Sequence, residues 1–202
     1  MSGRSRTVFL VDDHPVVRMG LVHLIGAMPG WEVVGQAGSA EDAIDALPAG
    51  LDVLVTDLRM NGLDGLALTR LVKVSRPDLP VLVLSSFDEG LFAEQSLDAG
   101  ASGFLMKDAE PELLREALEC VAEGGVHLSD AMWSQLVPQV PARDASVDPE
   151  LFEALAGVPT SDQGLAMRLG ISAMELRTRR RAAMRALDLR PDLQLTLAAH
   201  LP

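Results

Sequence analysis

The sequence predicts an α/β protein: a doubly wound, five-stranded parallel sheet followed by a small all-α unit. Three observations carry this. Short, nearly continuous apolar runs alternate with amphipathic stretches through the first 125 residues. Those runs are apolar at successive positions, as expected of strands buried on both faces of a parallel sheet. From residue 148 onward the apolar spacing becomes helical and no strand-like run remains.

The predicted strands are 8–11, 31–36, 53–56, 81–85 and 103–106. Between them lie helical patterns. Val17, Leu21, Leu24 and Ile25 line one face of the first, and Leu66, Leu68, Leu71 and Val72 line one face of a later one. Five strand–helix repeats place a ligand site at the carboxyl ends of the strands. This first domain is assigned residues 1–125. Residues 126–147, with Pro138, Pro141 and little periodicity, read as a linker in which 130–137 can make a short helix. Residues 148–202 form the second domain. Asp148-Pro149 suits an N-cap and first turn, and Thr160 to Gln163 reads as a capping box. A helix then runs to Leu169, Gly170 supplies a turn, and Ser172 caps a second helix from Ala173 to about Leu187. Arg190-Pro191-Asp192 opens a last short helix. These are the ingredients of a helix-turn-helix.

Of the 202 residues, 48% are hydrophobic, which excludes general disorder. No apolar run approaches the roughly 18 residues that span a bilayer. The apolar stretch near the N-terminus runs into two aspartates and is too short for a signal peptide, so a cytoplasmic location is expected. The single cysteine, Cys120, excludes a disulfide framework and has no metal-ligand spacing. Charge is divided unevenly. Residues 1–130 carry 21 acidic and 9 basic side chains, whereas 131–202 carry 8 of each. Within the second half, residues 165–190 hold seven arginines against Glu175 and Asp188. An acidic front and a locally basic back imply different partners, and the basic part suits nucleic acid.

Asp12 and Asp13 end the first predicted strand, and Asp57 ends the third. In a doubly wound sheet those ends are neighbours, so three carboxylates converge and call for a hard cation; Mg²⁺ suits such a set. The competing explanation is that aspartates favour strand ends and turns. The rest of the constellation weighs against it. Ser85 ends the fourth strand 28 residues after Asp57, and Lys107 follows the fifth, 22 residues further on. A hydroxyl, an ammonium and a metal around one carboxylate are what phosphoryl transfer to that carboxylate requires. The chain has two lysines against 15 arginines, so a lysine at that strand end is informative.

The segments VDDHP, TDLRMNGLDG, LVLSS and GASGFLMKD resemble the motifs of response-regulator receiver domains, over residues 7–123. That resemblance implies a flavodoxin-like fold and phosphorylation of Asp57 by a sensor histidine kinase. It also implies Mg²⁺ held by Asp13, Asp57 and the Arg59 carbonyl, with Asp12 acting through water. Lys107 would pair with the phosphoryl group, Ser85 would be the switch hydroxyl and Phe104 the switch aromatic. Phe104 can also be read simply as a strand residue packing inward. His14 is expected to begin the first helix, Trp31 and Trp133 to pack, and the methionines to fill cores.

GGVHLS at 124–129 and LAMRLGISAMELRTRRRAAMRALDL at 165–189 resemble NarL/LuxR-type regulators. The resemblance implies that Arg177, Thr178 and Arg181 face the DNA major groove, with Arg179 and Arg185 nearer the phosphates. It further implies a homodimer that regulates transcription. The departures are concrete. Glu175-Leu176 replaces a threonine-valine pair, Arg180 stands where a valine is buried, and 157–170 is two residues longer. The first helix lacks the usual arginine-glutamate start. Two other readings therefore stay open: a C-terminal domain that binds a protein partner or regulates the receiver in cis, and a phosphate sink with vestigial output. No separate catalytic constellation follows residue 125, so a dedicated enzyme is not expected.

Overall fold

The structure, a computed structural model, describes residues 4–86, 90–129, 167, 169–172 and 175. Five parallel strands, β1 (Arg6–Val11), β2 (Trp31–Ala37), β3 (Val53–Asp57), β4 (Val81–Ser85) and β5 (Gly103–Met106), form one sheet in the order β2-β1-β3-β4-β5. They alternate with α1 (Pro15–Gly26), α2 (Ala40–Ala46), α3 (Gly65–Ser75), α4 (Gly90–Asp98) and α5 (Pro111–Ala122). The doubly wound fold expected from the sequence is the fold observed.

Strand periodicity divides the core in two. Val8, Leu10, Val53, Val55, Leu82, Leu84 and Leu105 point to one face, where Leu21 and Ile25 of α1 and Leu114, Leu118 and Val121 of α5 cover them. Phe9, Val11, Leu54, Val81, Val83 and Phe104 point to the other, beneath α2, α3 and α4. Burial of each large apolar side chain contributes about 1.5–3 kcal/mol. Two members of the predicted helix faces do not join these cores. Leu71 is 47% exposed because it lies one 100° step back from Val72, away from the face carrying Leu68 and Thr69. Val17 stands exposed at the rim of α1, beside the solvent-facing Val16.

Local chemistry sets where each helix begins. Pro15 opens α1 behind His14, and Pro111 opens α5. The Ser39 hydroxyl accepts from the Asp42 N–H at 3.1 Å, and the Asp64 carboxylate accepts from the Ala67 N–H at 2.7 Å. Gly65 lets α3 start directly over the end of β3, since a Cβ there would come within 2.1 Å of the Asp57 carbonyl oxygen.

Residues 126–128, given to the linker by sequence, return to the sheet. His127 bridges Gly103 in parallel fashion: its N–H donates to the Ser102 carbonyl at 3.0 Å, and its carbonyl accepts from the Phe104 N–H at 2.9 Å. Leu128 is buried. The two glycines before it bend the chain back and carry little pattern, which is why periodicity alone missed this pairing.

Gly65→Ala should lower stability in urea unfolding by about 1–3 kcal/mol, because the new methyl overlaps main chain rather than a yielding side chain.

Candidate functional site

The strand order reverses between β1 and β3: β2 lies to one side of β1, while β4 and β5 continue on the other side of β3. A crevice at the carboxyl ends of the strands is the consequence of such a switch point. Asp12 and Asp13 follow β1 directly, Asp57 closes β3, Ser85 closes β4 and Lys107 follows β5. The fold thus brings together all five residues that the sequence assigned to one pocket.

Asp12 and Asp57 are almost fully buried, and Lys107 reaches both: its ammonium lies 2.7 Å from Asp12 Oδ2 and 2.7 Å from Asp57 Oδ2. The Lys107 N–H donates to the Ser85 carbonyl at 2.7 Å, so the ends of β4 and β5 are tied where the two side chains emerge. The Arg59 N–H donates to Asp57 Oδ1 at 3.3 Å. The Arg59 guanidinium lies over the Phe92 ring of α4, 4.9 Å from its centroid. Phe104 is fully buried in the core beneath α4, so the inward packing open from its sequence position is the one observed.

His14 precedes the first helical turn, as expected, yet it also stands at the pocket. Its Nδ1 is 2.8 Å from Asp13 Oδ1, 3.4 Å from Asp12 Oδ1 and 3.8 Å from Asp57 Oδ2. Sequence reasoning also passed over two donors that hold the acids in place. Arg18 donates to the Asp12 carbonyl and to Gln36 Oε1, tying the ends of β1 and β2. Asn61 donates to Asp13 Oδ2 from both its main chain and its side chain. Neither shows a periodicity or spacing signal, because each acts across a loop closed only by the tertiary fold.

The donor set fits a divalent cation. Ligand atoms of Asp12, Asp13, His14 and Asp57 all lie within 4.8 Å of one another. Asp13 Oδ1 and Asp12 Oδ2 are buried oxygens that face a nitrogen each, His14 Nδ1 at 2.8 Å and the Lys107 ammonium at 2.7 Å. Carboxylate oxygens converging in this way suit a hard ion.

Burial pushes the Asp57 carboxyl above its ordinary value; Lys107 opposes this, the Asp12 charge adds to it and the Arg59 N–H opposes it. The folded chain therefore keeps a proton on Asp57 at a pH where the unfolded chain has lost it. Ionising Asp57 costs stability as pH rises between those two values, and the cost persists at all higher pH. Asp57→Asn should accordingly raise the melting midpoint at pH 7 in chelator, by about 2–4 °C for each kcal/mol recovered. The gain should shrink on acidification and vanish below the ordinary carboxylate range.

The predicted DNA-contacting residues Arg177, Thr178, Arg179, Arg181 and Arg185 lie outside the described residues, as does Trp133. The turn before them is described. Gly170 has φ +65° and donates to the Met167 carbonyl at 3.2 Å, and the Ser172 hydroxyl accepts from the Glu175 N–H at 3.1 Å. That is the glycine turn and serine cap expected of a helix-turn-helix. Leu169 and Ile171 pack against the core cluster of the sheet that contains Phe104. No described helix is long and apolar enough to cross a membrane.

Residues 8–119 match the family described as the response regulator receiver domain. A nitrate/nitrite response regulator protein homolog of Haemophilus influenzae is 37% identical over 131 residues, 64% of this chain and 63% of that protein. The nitrate/nitrite response regulator protein NarP of Escherichia coli is 31% identical over 94% of this chain and 92% of its own. Among solved structures, the two-component response regulator RcsB in complex with DNA superposes with a TM-score of 0.59 at 25% identity, covering 98% of this chain and 100% of that one. With its sheet order, its acid–lysine pocket and these likenesses in agreement, the chain belongs to the response regulator family, of the NarL/LuxR type.

Proposed function

We propose that this chain is a phosphorylation-controlled transcriptional regulator in which Asp57 accepts a phosphoryl group from a sensor histidine kinase. The observation that carries the reading is the contact of Lys107 with both Asp12 and Asp57 at the switch point of the sheet. An Asp57 oxygen attacks phosphorus and an O–P bond forms. The P–N bond of the donor phosphohistidine breaks, its electron pair returns to the imidazole, and that ring takes a proton from solvent. The Lys107 ammonium faces the oxygens on which negative charge gathers, where a fixed cation in a water-poor pocket is most effective. Asp13, Asp57 and the Arg59 carbonyl would hold Mg²⁺ directly and Asp12 through water; when bound, the ion supplies further neutralisation of the phosphoryl oxygens.

Ser85 and Phe104 read out the event. The Ser85 hydroxyl turns to the phosphoryl group, and the buried Phe104 ring follows into the space it leaves, changing the surface of α4, β5 and α5. Output is DNA binding by a homodimer in the cytoplasm, supported by the likeness to RcsB in complex with DNA and by the arginines of 165–190. Arg177 and Arg181, one helical turn apart, suit guanine edges; Thr178 shares their face, and Arg179 and Arg185 suit phosphates. A second reading, control of the receiver in cis, is favoured by one observation: Leu169 and Ile171 rest against the cluster that holds Phe104. The proposal divides the chain into a receiver that runs through the His127 bridge and the buried Leu128, a linker from there to 147 and an output domain from 148.

Two outcomes test this. Lys107→Ala should slow phosphorylation by a small phosphodonor on the order of 100-fold, and Asp57→Ala should abolish it, as read by phosphate-affinity gels. In selection of bound DNA from a random pool, the full chain with Mg²⁺ and beryllofluoride should enrich a palindrome. Arg177→Ala and Arg181→Ala should each weaken that site by about 1–3 kcal/mol and leave phosphorylation unchanged. Enrichment of no sequence by the full chain would transfer the arginine-rich segment to a protein partner.

A further inference from the structure

We infer that Asn61 is a positioning residue for the cation site, clamping Asp13 so that one carboxylate oxygen is presented to the ion. The inference rests on the Mg²⁺ reading of the pocket. Asn61 lies in the loop between β3 and α3, whereas Asp13 lies beyond the end of β1, 48 residues earlier. Two donors of Asn61 converge on a single oxygen: the main-chain N–H reaches Asp13 Oδ2 at 3.0 Å and the side-chain Nδ2 reaches it at 2.8 Å. A carboxylate held by two donors on one oxygen cannot rotate without losing both. The other oxygen is thereby turned inward. Asp13 Oδ1 is buried, faces His14 Nδ1 at 2.8 Å and belongs to the group of ligand atoms shared with Asp12, His14 and Asp57.

The clamp opposes a specific tendency. Asp13 is the most exposed of the three acids, at 13% of its side chain, and Asp12 and Asp57 repel it. Left free, it would swing toward water, and a binding ion would have to order it again. The loop that carries the clamp is itself fixed from the far side. Glu41 Oε1 accepts from the Leu63 N–H at 3.2 Å, and Gly62 takes φ +82° to bring Asn61 and Leu63 to their separate partners. Half of the clamp is a main-chain N–H, so only proline removes it entirely, whereas alanine leaves one donor.

The experiment is a thermal-melt titration of the full chain with MgCl₂, comparing the natural sequence with Asn61→Ala, Asn61→Pro, Asp13→Ala and the Asp13→Ala/Asn61→Ala pair. Outer partners of metal ligands are typically worth about 10–100-fold in affinity. Asn61→Ala should weaken Mg²⁺ by about 10-fold and Asn61→Pro by more, approaching 100-fold. Metal-free melting of the alanine variant should stay near that of the natural chain. In the Asp13→Ala background, Asn61→Ala should have no further effect, which a merely structural role would not produce. Equal Mg²⁺ affinity in the natural chain and both Asn61 variants, or an undiminished effect without Asp13, overturns the clamp while leaving the Mg²⁺ site standing. A natural chain that does not respond to MgCl₂ overturns the Mg²⁺ reading and the clamp with it.

Discussion

The Lys107 ammonium, 2.7 Å from an oxygen of Asp12 and 2.7 Å from an oxygen of Asp57, is the contact on which the architecture of this pocket depends. Buried carboxylates at adjacent strand ends repel one another, and desolvation penalises each charge separately. One cation shared between two of them allows the ends of β1 and β3 to lie as close as the sheet requires. The arrangement also explains why its main chain is tied so firmly. The Lys107 N–H on the Ser85 carbonyl and the Leu58 N–H on the Leu84 carbonyl, both 2.7 Å, keep β3, β4 and β5 in register past the point where strand pairing ends. A loose lysine would leave two acids uncompensated; a fixed one leaves a pocket short of positive charge.

That shortage is what gives the site its chemistry. Asp57 is held above its ordinary ionisation range by burial, with Lys107 pulling the other way. Three carboxylates gather with His14 within 4.8 Å of one another, while the Lys107 ammonium reaches Asp12 and Asp57 and Asp13 Oδ1 faces the His14 ring. A group bringing compensating charge, or a phosphoryl group arriving with a cation, relieves an imbalance built into the fold. The strain is electrostatic rather than conformational, and the surrounding cores of Val, Leu and Ala on both sheet faces hold it in place.

The legible parts of this molecule are those governed by short-range patterns. Strands β4 and β5 were readable residue for residue because five- and four-residue apolar runs bounded by polar residues leave little latitude. Asp12, Asp13, Asp57, Ser85 and Lys107 were readable because each sits at a strand end, and topology alone brings strand ends together. Leu71 was misassigned since leucine spacing cannot tell a face's centre from its margin. Asn61 and Arg18 were invisible for a different reason: a hydrogen bond spanning 48 residues, or one to a main-chain carbonyl, leaves no trace in the period of a sequence. His127 shows the same blindness at the sheet margin, where one bridge is too short to make a pattern.

That bridge has a consequence for the outer border of the sheet. β5 is the last strand, and an uncovered last strand presents N–H and C=O groups on which a stranger's chain can zip. His127 occupies the Phe104 N–H and the Ser102 carbonyl, and Leu128 covers the apolar ground beside them. The segment leaving the first domain is thus its own selvedge: it finishes the weave and guards it from fraying into aggregates. A receiver trimmed after Gly125 loses that hem, and one ending after Ser129 keeps it.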